Sequence, residues 1–322
     1  MDKNIFYTVD ISLPNCVIQE FKVPRQDGSN IECYICSEST DISVKPTVIL
    51  LDGSGGRSVF TIEMDGDKKR VYTPFLLHHL KEYVCKWNII VFQKYGVSLN
   101  DTEKEAYSRT EFIENYNREK RVEDADNVIE YLYKKGVCKD AELLVIGHSE
   151  GSGVAPGAAF VNKKITHLGL FGAGAGHGPL DCFINLRKDF SSGKINEDEF
   201  NEKYKYYAES FSDVYKHKDS LEKYFWGHTY KRWASFSNST LLNELLSLDI
   251  PIYLGIASHD RNAPAEGSDL ITSEFIKAVK TNLTYKHYMN CDHGFIRNNG
   301  DEQLNLQQEA AKDIINWVAN YN

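Results

Sequence analysis

Short apolar runs alternate with amphipathic segments along most of the chain. VIQEFKVPR and IECYICSE alternate apolar and polar residues on either side of the turn QDGSN, which predicts an antiparallel hairpin. Further strands are predicted at the apolar runs KPTVILL, WNIIVFQ, AELLVIGH, ITHLGLF, DIPIYLGI and LTYKHY. Helical spacing is found at residues 72–83, 118–135, 154–160, 271–281 and 304–322, whereas residues 100–110 are predicted to form a loop. Strands that alternate with helices predict an α/β fold, with a mostly parallel sheet covered by helices on both faces.

The pattern changes between residues 178 and 248. This segment is charged, aromatic and mostly helical in spacing, and it contains no apolar run of the kind found elsewhere. We therefore predict a core domain of residues 1–177 and 249–322, and a helical cap of residues 178–248. Ligands of parallel sheets bind beyond the carboxyl ends of the strands, which is where such a cap would lie. Most cap aromatics are expected to form its core, and a few to line an apolar acyl or aromatic pocket.

Composition narrows the functional classes. The chain has 322 residues, 42% of them hydrophobic, and a formal net charge of −9. A nucleic-acid-binding protein needs a basic face, so nucleic acid is not an expected partner. The chain begins MDKNIFYTVD, without an apolar stretch after a basic start, and no apolar run is long enough to span a bilayer. We expect a cytoplasmic protein without a membrane span; the pattern indicates no oligomeric state.

The seven cysteines do not form a framework. Their number is odd and their spacing scattered, which disfavours disulfides. Cys33 and Cys36 form a CxxC within a predicted strand, where residues three apart face opposite sides of the sheet. They are expected to be structural thiols, not metal ligands or a redox pair.

The strongest chemical signal is LLVIGHSEG. A nucleophilic serine has to stand on a tight strand-to-helix turn, with small residues two positions before and after it. Gly147 and Gly151 flank Ser149 in this way, a buried strand precedes the motif, and an alanine-rich segment follows it. Ser149 is therefore the predicted nucleophile; the alternative is an ordinary glycine-rich turn.

A serine hydroxyl needs a base, and in this arrangement the chain order is Ser, acid, His. His293 follows the last predicted strand and is the predicted base, whereas His287, inside that strand, is the second choice. Asp260 follows the preceding strand and is predicted to orient the histidine. Glu266 and Asp269 are the alternative acids of the same loop.

A tetrahedral intermediate needs two donors for its oxyanion. The backbone N–H groups of Glu150 and Ser54 are predicted to supply them, the latter from the loop Asp52-Gly53-Ser54-Gly55-Gly56. That loop and the glycines of residues 172–178 lack the further residues of a nucleotide-binding motif, and no clustered Cys/His spacing indicates a metal. We expect neither cofactor nor metal.

The segments LLDGSGG, GHSEGSGVAPGAA, ASHDRNAP and CDHGF resemble the α/β-hydrolase superfamily. More narrowly, they are similar to the bacterial carboxylesterase and serine aminopeptidase-like group, in which an Ala-Pro often follows a GHSEGG elbow. Ser152 stands where that group usually has glycine, and Asp52 stands where many hydrolases have histidine. The resemblance implies hydrolysis of a carboxylic ester through an acyl-enzyme intermediate, with Ser149, His293 and Asp260 as triad.

Other functions remain compatible with these motifs, because many activities share one elbow. A peptidase or an acyl thioesterase would use the same triad, and an acyltransferase the same serine. A peptidase that trims free N-termini would need an acid in the cap or at the rim of the cleft. A non-catalytic receptor or scaffold of the same fold is the distant alternative. The expected partner is a small ester or acyl substrate.

Overall fold

A sheet of nine strands runs through the part of the chain that the computed structural model describes, namely residues 6–9, 11, 13–65, 68–138, 142–174, 178–237, 240–299 and 302–321. The strands in chain order are β1 (Tyr7–Thr8), β2 (Val17–Pro24), β3 (Asn30–Ser37), β4 (Thr47–Leu51), β5 (Thr61–Asp65), β6 (Lys68–Tyr72), β7 (Asn88–Phe92), β8 (Leu143–His148), β9 (His167–Phe171), β10 (Tyr224–Phe225), β11 (His228–Thr229), β12 (Ile252–Ala257), β13 (Leu283–Tyr288), β14 (Ile296–Asn299) and β15 (Glu302–Asn305). The order within the large sheet is β1-β2-β3-β7-β4-β8-β9-β12-β13.

The sheet is mostly parallel. All neighbours from β7 to β13 run parallel, whereas β1, β2 and β3 are antiparallel to their neighbours. Strands β4, β7, β9 and β12 are buried along their whole length, as expected for apolar strands covered on both faces. The predicted hairpin and the parallel strands are therefore found in the structure.

Helices pack on both faces of this sheet. In chain order they are α1 (Leu77–Leu80), α2 (Glu103–Tyr107), α3 (Thr110–Asn115), α4 (Arg118–Lys134), α5 (Glu150–Val161), α6 (Pro179–Ser191), α7 (Glu197–Lys216), α8 (Tyr230–Phe236), α9 (Thr240–Ser247), α10 (Ala265–Lys277) and α11 (Gln307–Asn320). The apolar side chains of α4, α5 and α9 belong to one core cluster, and those of α1 and α11 to another. No helix of the described residues has the length and apolar character needed to cross a membrane.

The cysteines of the CxxC show the two faces directly. Cys33 is buried in the cluster of α4 and α5, and Cys36 in the cluster of α1 and α11. All seven cysteines are free thiols. The prediction that residues three apart on this strand face opposite sides is therefore confirmed.

Two local predictions are wrong. Residues 100–110, predicted as a loop, contain all of α2 and the start of α3. Thr102 and Glu105 form a reciprocal capping box that starts α2, a signal already present in the sequence as Thr-x-x-Glu. Of the helix predicted at residues 72–83, the structure has α1 and a 3₁₀ turn at Lys81–Tyr83, whereas Tyr72 ends β6.

The predicted cap consists of α6 and α7, the two-residue strands β10 and β11, α8 and α9. Its last part packs on the sheet domain: Leu241, Leu245 and Leu248 belong to the core cluster that contains α5. The predicted boundary at residue 177 lies outside the described residues, as do residues 175–177 of the second glycine-rich loop. The division into core and cap stays a prediction.

Candidate active site

Ser149 occupies a sharp turn between β8 and α5. Its backbone has φ 55° and ψ −122°, a conformation that costs energy for a residue with a side chain. The turn needs glycine on both sides: a Cβ on Gly147 would lie 2.2 Å from the carbonyl oxygen of Gly151, and a Cβ on Gly151 would lie 2.0 Å from that of Leu51. The two flanking glycines let strand, turn and helix approach closely, and the turn places Ser149 at the carboxyl edge of the sheet.

His293 and Asp260 form a hydrogen-bonded pair in the loops after β13 and β12. The distance from His293 Nδ1 to Asp260 Oδ2 is 2.7 Å. Asp260 is 1% exposed, and its other oxygen, Oδ1, accepts the N–H groups of Asn262 and Ala263 at 2.8 Å each. The carboxylate is thus fixed by its own loop, with one oxygen left for the imidazole.

The alternative residues are placed elsewhere. His287 lies within β13, and Asp269 lies within α10. Glu266 Oε2 is 2.7 Å from Lys188 Nζ and so pairs with α6. Of the acids and histidines considered in the sequence analysis, the structure therefore pairs His293 with Asp260.

Gly172 joins this pair to the serine. Its backbone has φ 56°, and a Cβ on it would lie 2.9 Å from His293 Cε1 and 3.1 Å from Nδ1. The carbonyl of the preceding residue, Phe171, accepts the N–H of Ser149 at 2.9 Å. The end of β9 therefore contacts both the serine turn and the imidazole, so that Ser149, His293 and Asp260 share one corner of the sheet.

We expect Gly172→Ala to lower kcat/KM by about 10²-fold for a reaction in which His293 is the base, because a methyl group would displace the imidazole, and misplacement by about 1 Å can have an effect of this size. The control is Gly136→Ala, since Gly136 has a similar φ of 72° but nothing within 4 Å of its Cβ position. Both variants carry backbone strain, whereas only the first should lose activity at a temperature where both are folded. Equal activity in the two variants would contradict the role of Gly172.

His148, the residue before Ser149, makes contacts that the sequence analysis did not predict. Its Nε2 lies 3.1 Å from the carbonyl oxygen of His293, and the two ring centroids are 4.9 Å apart. Burial, together with the nearby His293, lowers the pKa of His148 to about 3. A neutral His148 therefore donates from Nε2 to the backbone of His293 and holds that residue from behind.

The loop Asp52–Gly56, predicted to provide an oxyanion donor, is held by two buried cations. Lys94 Nζ donates to the carbonyl oxygens of Gly53 at 2.8 Å and Gly55 at 2.7 Å. Arg121 Nη2 donates to the carbonyl oxygen of Asp52 at 2.9 Å and to its Oδ1 at 3.1 Å. These bonds fix the loop backbone before any ligand is bound, as an electrostatic site requires.

Two amides of the loop are already used. Gly55 N–H donates to Tyr116 Oη and Gly56 N–H to Glu103 Oε2, each at 2.6 Å. Ser54 N–H has no acceptor within the described part of the chain, and Ser54 lines the same cavity as Ser149. The backbone amides near the start of the loop, including that of Ser54, are therefore favoured as donors to a ligand.

Glu150 is the centre of a buried network of charges. Its carboxylate accepts Tyr116 Oη at 2.7 Å, Arg121 Nη1 at 2.6 Å and Arg232 Nε at 3.0 Å, and a second nitrogen of Arg232 also bonds it. Burial alone would raise the pKa of Glu150, but Arg232, Arg121 and Lys94 outweigh it and lower the pKa to about 2. This anion links α5 to α4 and to α8 of the predicted cap, and through Arg121 and Tyr116 it is connected to the loop Asp52–Gly56.

A cavity of about 520 Å³ opens above the serine. The core contributes Ser54, Ser149, Glu150, Arg261 and Asn262 to its lining, and the predicted cap contributes residues of α6, α7 and α8 as well as Gly178, Trp226 and His228. Most cap aromatics pack on one another, as the edge-on contacts of Phe211 with Phe225 and Trp233 and the tilted contact between Phe225 and Trp233 show. The cavity has the size of a small-molecule site.

Solved structures with the same overall fold include peptidases and esterases. An esterase from Pyrococcus furiosus matches 99% of this chain and 97% of its own, with a TM-score of 0.54 and 14% identity. The chain has the α/β-hydrolase fold. An acylaminoacyl peptidase from Pyrococcus horikoshii matches 96% of this chain at a TM-score of 0.58 and 10% identity. A puromycin-hydrolyzing peptidase from Mycobacterium tuberculosis matches 88% of this chain at a TM-score of 0.54 and 14% identity.

This chain spans 42% and 37% of the lengths of these two peptidases. No family model and no curated protein matches it. At such low identity the similarity extends to the fold, and the α/β-hydrolase fold expected from the sequence is confirmed. The fold does not determine the chemistry, which depends on the residues of the site.

Proposed function

We propose that this protein is a serine hydrolase that cleaves a carboxylic ester through an acyl-enzyme intermediate, without a cofactor. The observation that carries the proposal is the bond between His293 and Asp260, which lies against Gly172 at the end of β9, where the carbonyl of Phe171 also accepts the N–H of the strained Ser149. A turn of this kind, a base and an orienting acid together activate a serine hydroxyl. A binding protein has no need of all three.

In this mechanism the hydroxyl of Ser149 attacks the carbonyl carbon of the ester, and His293 Nε2 takes the serine proton. Asp260 accepts the N–H on Nδ1 and stabilises the imidazolium. The amides of Glu150 and Ser54 bind the oxyanion of the tetrahedral intermediate. His293 then donates its proton to the departing alcohol. A water molecule, deprotonated by the same histidine, releases the acid and restores the hydroxyl of Ser149.

The proposal is tested by labelling with a fluorophosphonate, read by intact mass, alongside a panel of p-nitrophenyl esters of increasing chain length. The wild-type protein should gain one adduct, and Ser149→Ala should gain none. Ser152→Ala is the matched control, because Ser152 lies one helical turn on and its Oγ already donates to the carbonyl oxygen of Ser149 at 2.5 Å. This control should still be labelled.

Two results would contradict the proposal: an adduct that survives in Ser149→Ala, or a wild-type protein that neither labels nor hydrolyses any ester of the panel. In the second case the non-catalytic alternative would gain weight. The chain-length profile of the esters would at the same time measure how much of the cavity the acyl group fills.

A peptidase that uses the same residues is the second candidate. It is favoured by a carboxyl group of the predicted cap, Asp181, which lines the cavity above Ser149. A peptidase acting on free N-termini needs an acid in this place. Including p-nitroanilides of amino acids in the panel would separate the two activities, since only a peptidase cleaves the amide.

A further inference from the structure

Two side-chain nitrogens in the cavity of Ser149 have no partner among the described residues. Arg232 bonds Glu150 through Nε at 3.0 Å and also through Nη2, which leaves Nη1 unpaired. His228 Nδ1 lies 2.6 Å from Tyr107 Oη, which leaves Nε2 unpaired. Both side chains line the cavity, and neither Nη1 nor Nε2 is fully buried. A ligand that enters the cavity can therefore contact both nitrogens.

The two side chains are neighbours, because they pack on the same two aromatic rings. The ring centroid of His228 is 5.8 Å from that of Tyr116 and 5.9 Å from that of Trp233. Arg232 Cζ lies 5.7 Å from the centroid of Tyr116 and 4.7 Å from that of Trp233. Between them in the chain, Thr229 starts α8, and its side chain accepts the N–H of Arg232 at 3.2 Å. This helix start keeps His228 and Arg232 together in the cavity lining.

The hydrogen bond with Tyr107 determines which nitrogen of His228 carries the proton. Burial is the main cause that raises the pKa of Tyr107, so its phenol stays protonated at neutral pH. Its Oη has no acceptor other than His228 Nδ1 in the described part of the chain. The phenol therefore donates to Nδ1, and the proton of the neutral ring lies on Nε2. His228 thus presents an N–H donor to the cavity, as Arg232 does with Nη1.

The electrostatic potential at these donors is positive. Burial is the main cause that lowers the pKa of His228 to about 4, so the ring is neutral at pH 7. Of the charges nearby, Arg232 has the largest effect on that pKa; Lys94 acts in the same direction, and Glu150 opposes both. Two N–H donors in a positive potential favour a ligand group that is an anion and accepts hydrogen bonds.

The other charges of the cavity lining do not prevent an anion from binding. Arg261 and Asp189 form a two-point pair at 2.9 and 2.8 Å, and Lys203 is exposed on α7. The remaining acid is Asp181, whose pKa is raised to about 7, mainly by burial. Because Asp181 takes up a proton near neutral pH, its charge is readily removed when an anion enters the cavity.

We propose that His228 Nε2 and Arg232 Nη1 bind a carboxylate carried by the ester that Ser149 attacks. This inference rests on the proposed function, because the carboxylate belongs to the substrate of that reaction. A carboxylate has two oxygens and accepts from two N–H donors at once, and its bond with a guanidinium is charge-assisted. The substrate class is thus an ester with a free acid group, on its acyl or its alcohol part, and not a simple fatty-acid ester.

The test compares esters of equal shape that differ in one charge. Monoethyl adipate is paired with ethyl adipamate, so that the acid or its amide lies on the acyl part. The butanoyl ester of γ-hydroxybutyrate is paired with that of γ-hydroxybutyramide, so that the same groups lie on the alcohol part. Hydrolysis of the ester bond at neutral pH is followed by NMR for each of the four compounds.

Three variants accompany the wild-type protein. His228→Asn removes Nε2, but its shorter amide can keep the bond with Tyr107. His228→Phe removes both nitrogens and keeps the packing of a ring. His217→Asn is the matched control: His217 is a histidine of the predicted cap whose Nδ1 lies 3.1 Å from the carbonyl oxygen of Asp213, outside the cavity lining. Thermal midpoints show which of the proteins are folded.

For at least one pair, the wild-type kcat/KM should be higher for the carboxylate than for its amide by about tenfold or more. Both His228 variants should reduce this ratio about tenfold, whereas His217→Asn should keep it. The pair that shows the preference identifies the part of the ester that carries the acid. Hydrolysis without this preference, or a preference kept in a folded His228 variant, would overturn the inference while leaving the proposed hydrolase intact.

Binding to Ser149→Ala separates the inference from the proposed function. This variant cannot form the acyl-enzyme, so calorimetric titration with the same four compounds measures the site without turnover. In at least one pair, the carboxylate should bind more tightly than its amide by about tenfold or more. Such binding in a protein whose wild type hydrolyses no ester would keep the carboxylate site and refute the proposed function. Equal binding of carboxylate and amide in both pairs would refute the carboxylate site.

Discussion

Asp260→Asn is expected to lower kcat for ester hydrolysis by about 10³–10⁴-fold, although the substitution changes neither size nor shape. Oδ1 of Asp260 accepts two backbone N–H groups, from Asn262 and Ala263, at 2.8 Å. The amide oxygen of asparagine has to occupy that position, because an NH₂ group there would face two donors. The NH₂ group is therefore turned toward His293 Nδ1.

In Asp260→Asn this geometry stabilises the tautomer of His293 that cannot act as the base. Nδ1 has to accept from the asparagine, so the proton of the neutral ring moves to Nε2, which can then no longer take the proton of Ser149. Steady-state kinetics on an ester of the panel would measure the loss. The thermal midpoint is expected to change little, since the two backbone bonds are kept.

The control for this variant is Asp292→Asn. Asp292 is the sequence neighbour of His293, and its Oδ1 accepts the N–H groups of Gly294 and Ile296 at 2.9 and 3.0 Å. It resembles Asp260 in accepting two backbone bonds but does not contact the imidazole. Full activity in Asp260→Asn, or an equal loss in both variants, would show that Asp260 does not set the tautomer.

The sequence predicts the residues of this corner because each depends on local order. Ser149 is identified by its flanking glycines, and His293 and Asp260 by the strands that precede them. Parallel strands carry their carboxyl ends to one edge, so three residues far apart in the chain meet without any knowledge of side-chain packing. The pairing of His293 with Asp260 in the structure agrees with that expectation.

The supporting residues leave no such local signal. In the sequence, Arg121 does not differ from the other charged residues of an amphipathic helix, and Arg232 does not differ from the other cations of the aromatic cap. Their shared contact with Glu150 joins residues separated by 29 and 82 positions and depends on how three helices pack. Asp181 was missed among the cap acids because burial, which distinguishes it from the exposed acids of α7, is a tertiary property.

Glu150→Gln is expected to reduce the free energy of unfolding at neutral pH by about 3–5 kcal/mol, the usual effect of removing one member of a buried ion pair. The variant removes the carboxylate that pairs with Arg232 and leaves Arg121 and Lys94 paired with Asp52. Urea denaturation would measure the loss. The control is Glu130→Gln: Glu130 pairs with Lys164 near the surface, its side chain is 52% exposed, and less than about 1 kcal/mol is expected.

The pH dependence of this difference tests its electrostatic origin. The folded protein holds the pKa of Glu150 at about 2, below its ordinary value of 4.5, so the carboxylate stabilises the fold fully above about pH 5. That stabilisation is lost as the pH falls toward 2, and the shift corresponds to about 3 kcal/mol. The difference in the free energy of unfolding between wild type and Glu150→Gln should therefore become smaller as the pH falls from 7 to about 3. A gap that stays constant would assign the effect to packing instead.

The same variant distinguishes the role of the Glu150 side chain from that of its backbone N–H. Its backbone N–H is a proposed oxyanion donor and remains in Glu150→Gln, whereas its side chain anchors Arg121 and Arg232. Arg121 in turn bonds Asp52 of the loop Asp52–Gly56. If the loop depends on this anchor, kcat should fall at a temperature where the variant is fully folded, while the loss in stability is measured independently. Unchanged kcat would mean that Lys94 and Tyr116 suffice to position the loop.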